Sequence, residues 1–327
     1  MAALDVHATK LRLLANAPST VKSYENAWNI FRLFRKEIKD NTAAPPSEDT
    51  LVRFVSYLSL IKKLAPATVK SYVAGVRYHL NVSARPTFND SFRIRKMLLG
   101  CTRSYVSDHQ REGLSRKEME KFLTAMPAVT KNPYLTKMYS SCILLAYYGL
   151  MRPGELIGGR HAIRRSDIKV FPSKILLTLQ HSKANQDGLP EVIQIVKVNG
   201  PFCPYEHLLK YIAARPKTSS SLPLFIRGDR AIPTSQSYTK MFRDLAISTG
   251  MDPKKKTPHS PRIGMATAMA EEGATSFGIK LAGRWKSNAY KSYVPTTFRK
   301  GSDLDLRRGP RPAGIRSLGG RARSKTL

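Results

Sequence analysis

The sequence predicts a mainly α-helical protein with one small antiparallel β-sheet, arranged as an all-helical first domain followed by an α+β second domain. Three observations predict it. Apolar residues recur at helical spacing through the first hundred residues, with little of the β-branched alternation that marks strands. A polar run without a period, CTRSYVSDHQREG from Cys101 to Gly113, separates that part from the rest. Beyond it, two β-rich runs, Lys174 to Gln180 and Glu191 to Val198, flank the turn sequence NQDGLP.

In the first domain, loops are expected at NTAAPPSED and SARPTFND, where Pro, Asn and Asp cluster. A short repeat lies in the same domain: Ala17 to Tyr24 reads APSTVKSY, and Ala65 to Tyr72 reads APATVKSY. Proline suits a helix opening because the N–H it lacks would be unpaired there. Apolar positions then recur as Val21, Tyr24, Trp28 and as Val69, Tyr72, Val76, predicting two helices whose buried stripes each carry the tyrosine. Shared capping chemistry explains such a pair as readily as shared function does.

In the second domain, Ser115-Arg-Lys-Glu118 is a capping box that opens a helix. A long apolar helix is expected from Tyr134 to Leu150, and Pro153 favours a fresh first turn just after it. The two β-rich runs read as a hairpin or short meander, and helices follow over Thr234 to Ser248, Ser260 to Glu272 and Thr275 to Ala282. The expected division is 1–104 helical domain, 105–114 linker, 115–300 second domain and 301–327 basic tail. That tail holds six Arg and one Lys against two Asp, with few apolar residues.

The 327 residues suffice for two separate cores, and 42% hydrophobic content fits a folded chain. Lys and Arg number 55 against 23 Asp and Glu, a net charge of +32. A field of that sign concentrates polyanions, and nucleic acid is the partner it fits; on charge alone a ribosomal or simply basic protein fits too. Cys101, Cys142 and Cys203 lack metal-ligand or disulfide-framework spacing, which suits a reducing compartment. The longest apolar run, Cys142 to Met151, is far short of the ~20 residues that span a bilayer. A soluble intracellular protein without a membrane partner is therefore expected, nuclear in a eukaryote and otherwise in the cytoplasm or nucleoid. Lys254 to Lys256 and the tail serve equally as import signals or as phosphate contacts.

The segment TPHSPRIGMATAMAEEGATSFGIKLAGRWKSNAYKSYV, Thr257 to Val294, gathers side chains suited to attack on a phosphodiester. Such attack without metal ions requires fixed positive charge around the non-bridging oxygens, a nucleophile, and an acid for the leaving oxygen. Arginine meets the first need through its permanently charged planar fork. Arg152, in Met-Arg-Pro-Gly-Glu-Leu, is one candidate, with Glu155 placed to hold its guanidinium; the competing reading is a surface ion pair at a helix end. His259 and Arg262 frame Ser260-Pro261, and a Ser260 N-cap with Pro261 first in the helix puts Arg262 in the first turn, beside unpaired amides. A structural histidine is the alternative for His259.

Lys183, near the hairpin tip, is a candidate general acid, or a simple phosphate attractor. Trp285 offers an indole donor to phosphate or a packing surface. Tyr293 lies ten residues after Gly283 and three after Tyr290. Either phenol needs neighbouring cations, since its ordinary pKa is ~10.

On these residues the chain resembles the tyrosine recombinase (phage integrase) superfamily. That family's pattern is an Arg in a Leu-Arg-x-x-Glu-Leu context, a hairpin Lys, a His-x-x-Arg pair, a His or Trp after a Gly, and a Tyr about nine residues on. Arg152 with Glu155, Lys183, His259 with Arg262, Trp285 and Tyr293 stand in that order. The wording HSPRIG and GRWKSNAYKSYV is most similar to the recombinases of eukaryotic tyrosine-recombinase mobile elements. The resemblance is strong over residues 115 to 296, and the paired STVKSY-type helices resemble the family's core-binding domain more weakly. Three departures stand out. Arg284 occupies the place after Gly283 where many relatives carry His, so Arg284 or Trp285 fills that role; Tyr293 lies eight residues after Trp285, one fewer than the pattern, so Tyr290 stays a rival nucleophile; and Pro261 stands inside the His-x-x-Arg pair, where it suits a first-turn position.

The resemblance implies a clamp on double-stranded DNA in which Tyr293 attacks the scissile phosphate and forms a 3′-phosphotyrosyl link. Arg152, Arg262, His259 and Trp285 would stabilise the five-coordinate phosphorus, and Lys183 would protonate the 5′ oxygen. It further implies a homo-tetramer pairing two DNA sites, with neither metal, ATP nor any other cofactor. The rivals are a type IB topoisomerase-like relaxase and a catalytically silent DNA-binding descendant of a recombinase.

Overall fold

The computed structural model describes residues 2–105, 111–158, 161–180 and 189–292. Two compact units divide at Asp108 and His109, within the stretch expected as linker. Glu112 and Leu114 of that stretch are tied into the second unit: their backbone N–H groups donate to the carbonyls of Lys255 (3.2 Å) and Ser260 (2.8 Å). Leu114 is fully buried in that unit's core. The predicted linker therefore runs too far, because its last residues, Glu112 to Leu114, pack as part of the second unit.

Among the described residues the first unit contains five helices, α1 (Ala2–Leu14), α2 (Pro18–Glu37), α3 (Glu48–Ser56), α4 (Pro66–Val82) and α5 (Phe92–Ser104). Helix α3 runs on into a π-helical turn, Tyr57–Ile61. Ser47 caps α3 by accepting from the Thr50 N–H, and Ser91 caps α5 by accepting from that of Ile94. Buried Arg35 fastens the loop after α2, pairing with Asp40 at 2.7 Å and donating to the carbonyls of Asn41 and Ala44. The core joins Phe31 and Phe34 of α2 to Leu51, Phe54, Val69, Val73 and Val76.

The sequence repeat reappears as a helix crossing. Helices α2 and α4 open at the prolines of the two copies, and Ala27 and Gly75, which occupy equivalent positions in them, lie against each other. A Cβ on Gly75 would come within 2.8 Å of the Ala27 Cβ and 3.1 Å of the Tyr24 Cα, so the backbones meet closely there. The two tyrosines sit at the rim of the buried stripes rather than at their centres: both are half-buried, and the Tyr72 hydroxyl accepts from Asn26 Nδ2 at 3.0 Å.

The second unit packs its helices around α7 (Pro133–Tyr148), buried without a break from Met138 to Tyr147. Asn132 caps α7, its side-chain oxygen accepting from the N–H groups of Tyr134 and Leu135. Helix α6 (Arg116–Thr130) opens with the expected capping box, Ser115 with Glu118. After the single turn α8 (Pro153–Leu156) comes an antiparallel sheet, β1 (Ile168–Val170), β2 (Lys174–Leu179) and β3 (Glu191–Val196), in the order β1-β2-β3. Leu177 lies opposite Ile168 on one side and Ile193 on the other, so one face of the sheet is apolar and buried.

Among the described residues four more helices follow, α9 (Pro204–Ala214), α10 (Ser235–Ser248), α11 (Ser260–Glu271) and α12 (Ser276–Ala282), and then a 3₁₀ turn, Asn288–Ser292. β1 and α9 are absent from the sequence reading. Among the described residues no helix is long and apolar enough to cross a membrane.

Alanine in place of a helical glycine ordinarily stabilises by ~1 kcal/mol. At the α2–α4 crossing the sign should reverse: Gly75→Ala is expected to destabilise by about 1–3 kcal/mol through overpacking, seen as a lower urea midpoint. An unchanged or higher midpoint would show that the crossing relaxes freely.

Candidate active site

The site forms where three chain turns meet: the end of α7, the start of α11, and the segment after α12. Helix α7 stops at Gly149, and Leu150 takes a left-handed backbone conformation (φ 43°). That conformation, costly for a β-carbon-bearing residue, turns the Leu150 carbonyl toward the arginines. It accepts from Arg262 Nη1 and, at 3.2 Å, from Arg284 Nη2.

Arg152 follows at once as the N-cap of α8. The carboxylate of Glu155, three residues on, accepts from the Arg152 backbone N–H (2.8 Å) and from its Nη1 (2.6 Å). Its second guanidinium partner is Arg284 Nη2, at 2.9 Å. Glu155 is only 3% exposed, so this is a buried shared carboxylate and not a surface pair. Burial raises its pKa, but Arg284 and Arg152 outweigh that and hold it below the usual carboxylate value. Arg152 itself keeps 20% of its side chain exposed, enough to meet a ligand.

Helix α11 begins at Ser260, within its expected range, but the N-cap is His259 and not Ser260, which is the first helical residue. The Ser260 hydroxyl does not cap; it accepts from the Thr257 N–H at 2.8 Å, bracing the turn before the helix. Arg262 still falls in the first turn. It is 2% exposed, donates to the carbonyls of Leu150 and Gly283, and places its guanidinium carbon 4.4 Å from the centre of the Trp285 ring.

Burial, then the charges of Arg111, Arg262 and Arg152, push the pKa of His259 down to about 4. The imidazole is therefore neutral near pH 7.

After α12, Gly283 is required by Trp285, because a Cβ there would lie 1.6 Å from the indole Cζ3. Arg284 is left-handed (φ 55°), and its carbonyl accepts from Arg152 Nη2 at 3.5 Å. Its side chain donates to the Gly149 carbonyl at 3.1 Å and pairs with Glu155 and Glu191. Trp285 and Tyr290 pack with Leu150, Ala266 and Ile279 into a small apolar cluster. At 5% exposure and with its ring 6.2 Å from that of Trp285, the rival nucleophile Tyr290 has a packing role.

The structure thus brings Arg152, Glu155, His259, Arg262, Arg284 and Trp285 together. Lys183 and Tyr293, and the tail from 301, lie outside the described residues. Sequence reasoning missed Arg111, whose charge acts on His259, and Glu191, the first residue of β3. Lys256, expected as an import signal or phosphate contact, is instead buried against Glu118 (2.8 Å) and Glu112 (3.6 Å), where it holds the turn before α11 to the start of α6. Among the described residues no group of His, Cys, Asp or Glu is arranged to hold a metal ion.

A mainly helical unit with one small antiparallel sheet around such a cluster is the tyrosine recombinase catalytic fold. The Tn1549 transposon integrase in complex with transposon right-end DNA matches with a TM-score of 0.64 at 15% identity, over 92% of this chain and 97% of that one. A lambda integrase dimer bound to a COC′ core site gives 0.59 at 16% identity, over 89% and 94%. The XerH site-specific recombinase bound to difH substrate gives 0.55 at 16%, over 79% and 70%. No curated protein matches the sequence. The chain belongs to the phage integrase family, whose model matches residues 112–293.

The buried histidine sets a pH dependence. The folded pKa of about 4 lies below the ordinary ~6.5, so between those values the unfolded chain binds a proton that the folded one refuses. Stability is therefore expected to fall as pH drops from 6.5 towards 4, and His259→Gln should lose part of that slope. Proton NMR of the His259 ring checks it directly; titration near pH 6.5 would contradict the burial.

Proposed function

We propose that this protein is a site-specific DNA recombinase that cleaves and rejoins duplex strands through a 3′-phosphotyrosyl intermediate. The convergence of Arg152 and Arg262 beside the neutral His259, in a chain of this family, carries the reading. In the reaction, the Tyr293 phenol oxygen bonds to the scissile phosphorus while the bond to the 5′ oxygen breaks, and Lys183 gives that oxygen its proton. The two arginines neutralise the non-bridging oxygens; neutral His259 donates one ring N–H to them and has a free nitrogen for the phenolic proton. The link conserves the energy of the broken bond, so the 5′ hydroxyl of a second strand reverses the step without an added cofactor.

The net charge of +32 supports duplex DNA as the partner. The DNA-bound relatives of this fold, among them a lambda integrase dimer on a core site, support it as well. A homo-tetramer on two paired sites, and an origin in a eukaryotic mobile element, extend the reading through the family pattern and the HSPRIG and GRWKSNAYKSYV wording.

A duplex nicked so that the cleaved 5′ strand diffuses away should trap protein on DNA, and Tyr293→Phe should abolish the trapped adduct. Persistence in Tyr293→Phe with loss in Tyr290→Phe would move the nucleophile. Binding without any adduct would make the chain a silent DNA-binding protein, and relaxation of supercoils without strand exchange a topoisomerase-like enzyme.

Duplex affinity should fall by about 10³ or more between ~50 and ~200 mM salt, as counterion release loses its driving force. Flat affinity over that range would remove the clamp.

A further inference from the structure

We propose that Arg284 and Glu191 form a brace that positions Arg152 and Arg262 for cleavage, a role resting on the function proposed above. Every nitrogen of the Arg284 guanidinium faces a protein acceptor. Nη1 donates to the Gly149 carbonyl (3.1 Å), Nη2 to the Leu150 carbonyl (3.2 Å) and Glu155 (2.9 Å), and Nε faces Glu191 Oε2 at 3.6 Å. Its side chain is 9% exposed. To meet a phosphate, Arg284 would have to release Glu155, stranding a buried carboxylate beside Arg152 alone.

Arg284 is also tied to both proposed phosphate ligands. The Leu150 carbonyl that it binds accepts from Arg262, and its own carbonyl accepts from Arg152. Shifting Arg284 therefore shifts both.

Glu191 supplies the second carboxylate. Its Oε2 and the Arg284 Nε are buried without a hydrogen bond, and they face each other. Because Glu191 opens β3, paired with Leu179 at the end of β2, the contact links the sheet to the arginines. Three guanidinium charges against two carboxylates leave the cluster one positive charge in excess, which matches the single charge of a phosphodiester. Glu191 also lines a cleft of about 680 Å³ beside Arg284 and Trp285, and its carboxylate would repel a phosphate approaching Arg284 from that side.

The test compares wild type, Arg284→Met, Glu191→Gln and the double variant on the nicked duplex. Each single variant should slow adduct formation at saturating DNA by about tenfold or more, as a small misplacement of the ligands would. Duplex Kd should stay within about threefold, since the phosphate contacts of the clamp are untouched. The double variant should be no slower than Arg284→Met. With one non-bridging oxygen of the scissile phosphate replaced by a neutral methyl, the Arg152→Ala deficit should shrink while the Arg284→Met deficit persists. A shrinking Arg284→Met deficit makes Arg284 a phosphate ligand and overturns the brace, as do multiplying deficits in the double variant. Urea unfolding of the same four proteins judges the pair without DNA: losses that add in the double variant show no coupling and overturn it. Absence of any wild-type adduct overturns the recombinase reading and the positioning role with it, while the unfolding cycle still decides whether Arg284 and Glu191 are paired.

Discussion

The carboxylate of Glu155 holds the site together, because two guanidinium groups lean on it from different parts of the chain. Arg152 reaches it from three residues away; Arg284 reaches it from beyond α12. Burying three charges is expensive, and such an arrangement rarely adds net stability over a well-packed apolar one. What it provides is fixed charge: the arginines cannot relax toward solvent, so their field is already aimed when an anion arrives. The cost is met by the apolar core behind it, which closes around α7.

The two left-handed residues of the site belong to the same arrangement. Leu150 and Arg284 both carry β-carbons in a backbone region that suits glycine, and each presents its carbonyl to an arginine. Strain of that kind persists only where surrounding contacts over-determine it. Here they do: Leu150 is fixed by packing on Trp285 and Tyr290, and Arg284 by three hydrogen-bond acceptors and the facing Glu191 carboxylate. Trp285 thereby acts on the site through shape, lying against the Arg262 guanidinium while its ring fills the space a Gly283 side chain would take.

Much of this was legible in residue order, and the limits are instructive. The α6 capping box, the apolar α7 and the β2–β3 pair could be read because their signals are local: a side chain three residues away, or a period of two or 3.6. Arg152 with Glu155, and His259 with Arg262, could be read for the same reason. The brace could not. Nothing near Glu191 in sequence distinguishes it from an ordinary solvated strand opening, since its partner lies 93 residues on. Strand β1 was missed because three residues with one buried position hold no period. Helix α9 does carry a signal, Pro204 at its start with Leu208 and Tyr211 at helical spacing. Ser260 looked like a cap by residue type, whereas its hydroxyl bonds backwards to the preceding turn.

The neutrality of His259 follows from the same charge balance. A protonated imidazole beside Arg111, Arg152 and Arg262 would add a cation to a region already short of carboxylates, and burial removes the water that would screen it. In the proposed reaction, the bound phosphodiester cancels the excess charge of the arginine cluster, and the phosphorane then adds one more negative charge. That second charge lowers the cost of protonating His259 at the moment the phenol must lose its proton. It also calls for a cation from outside the buried set, the part that the proposed reaction gives to Lys183. A further fixed cation would make the imidazole harder still to protonate, before reaction and in the transition state alike, and so weaken it as a base for the phenol. Keeping one charge in reserve therefore lets the same cluster bind the diester and drive the proton transfer.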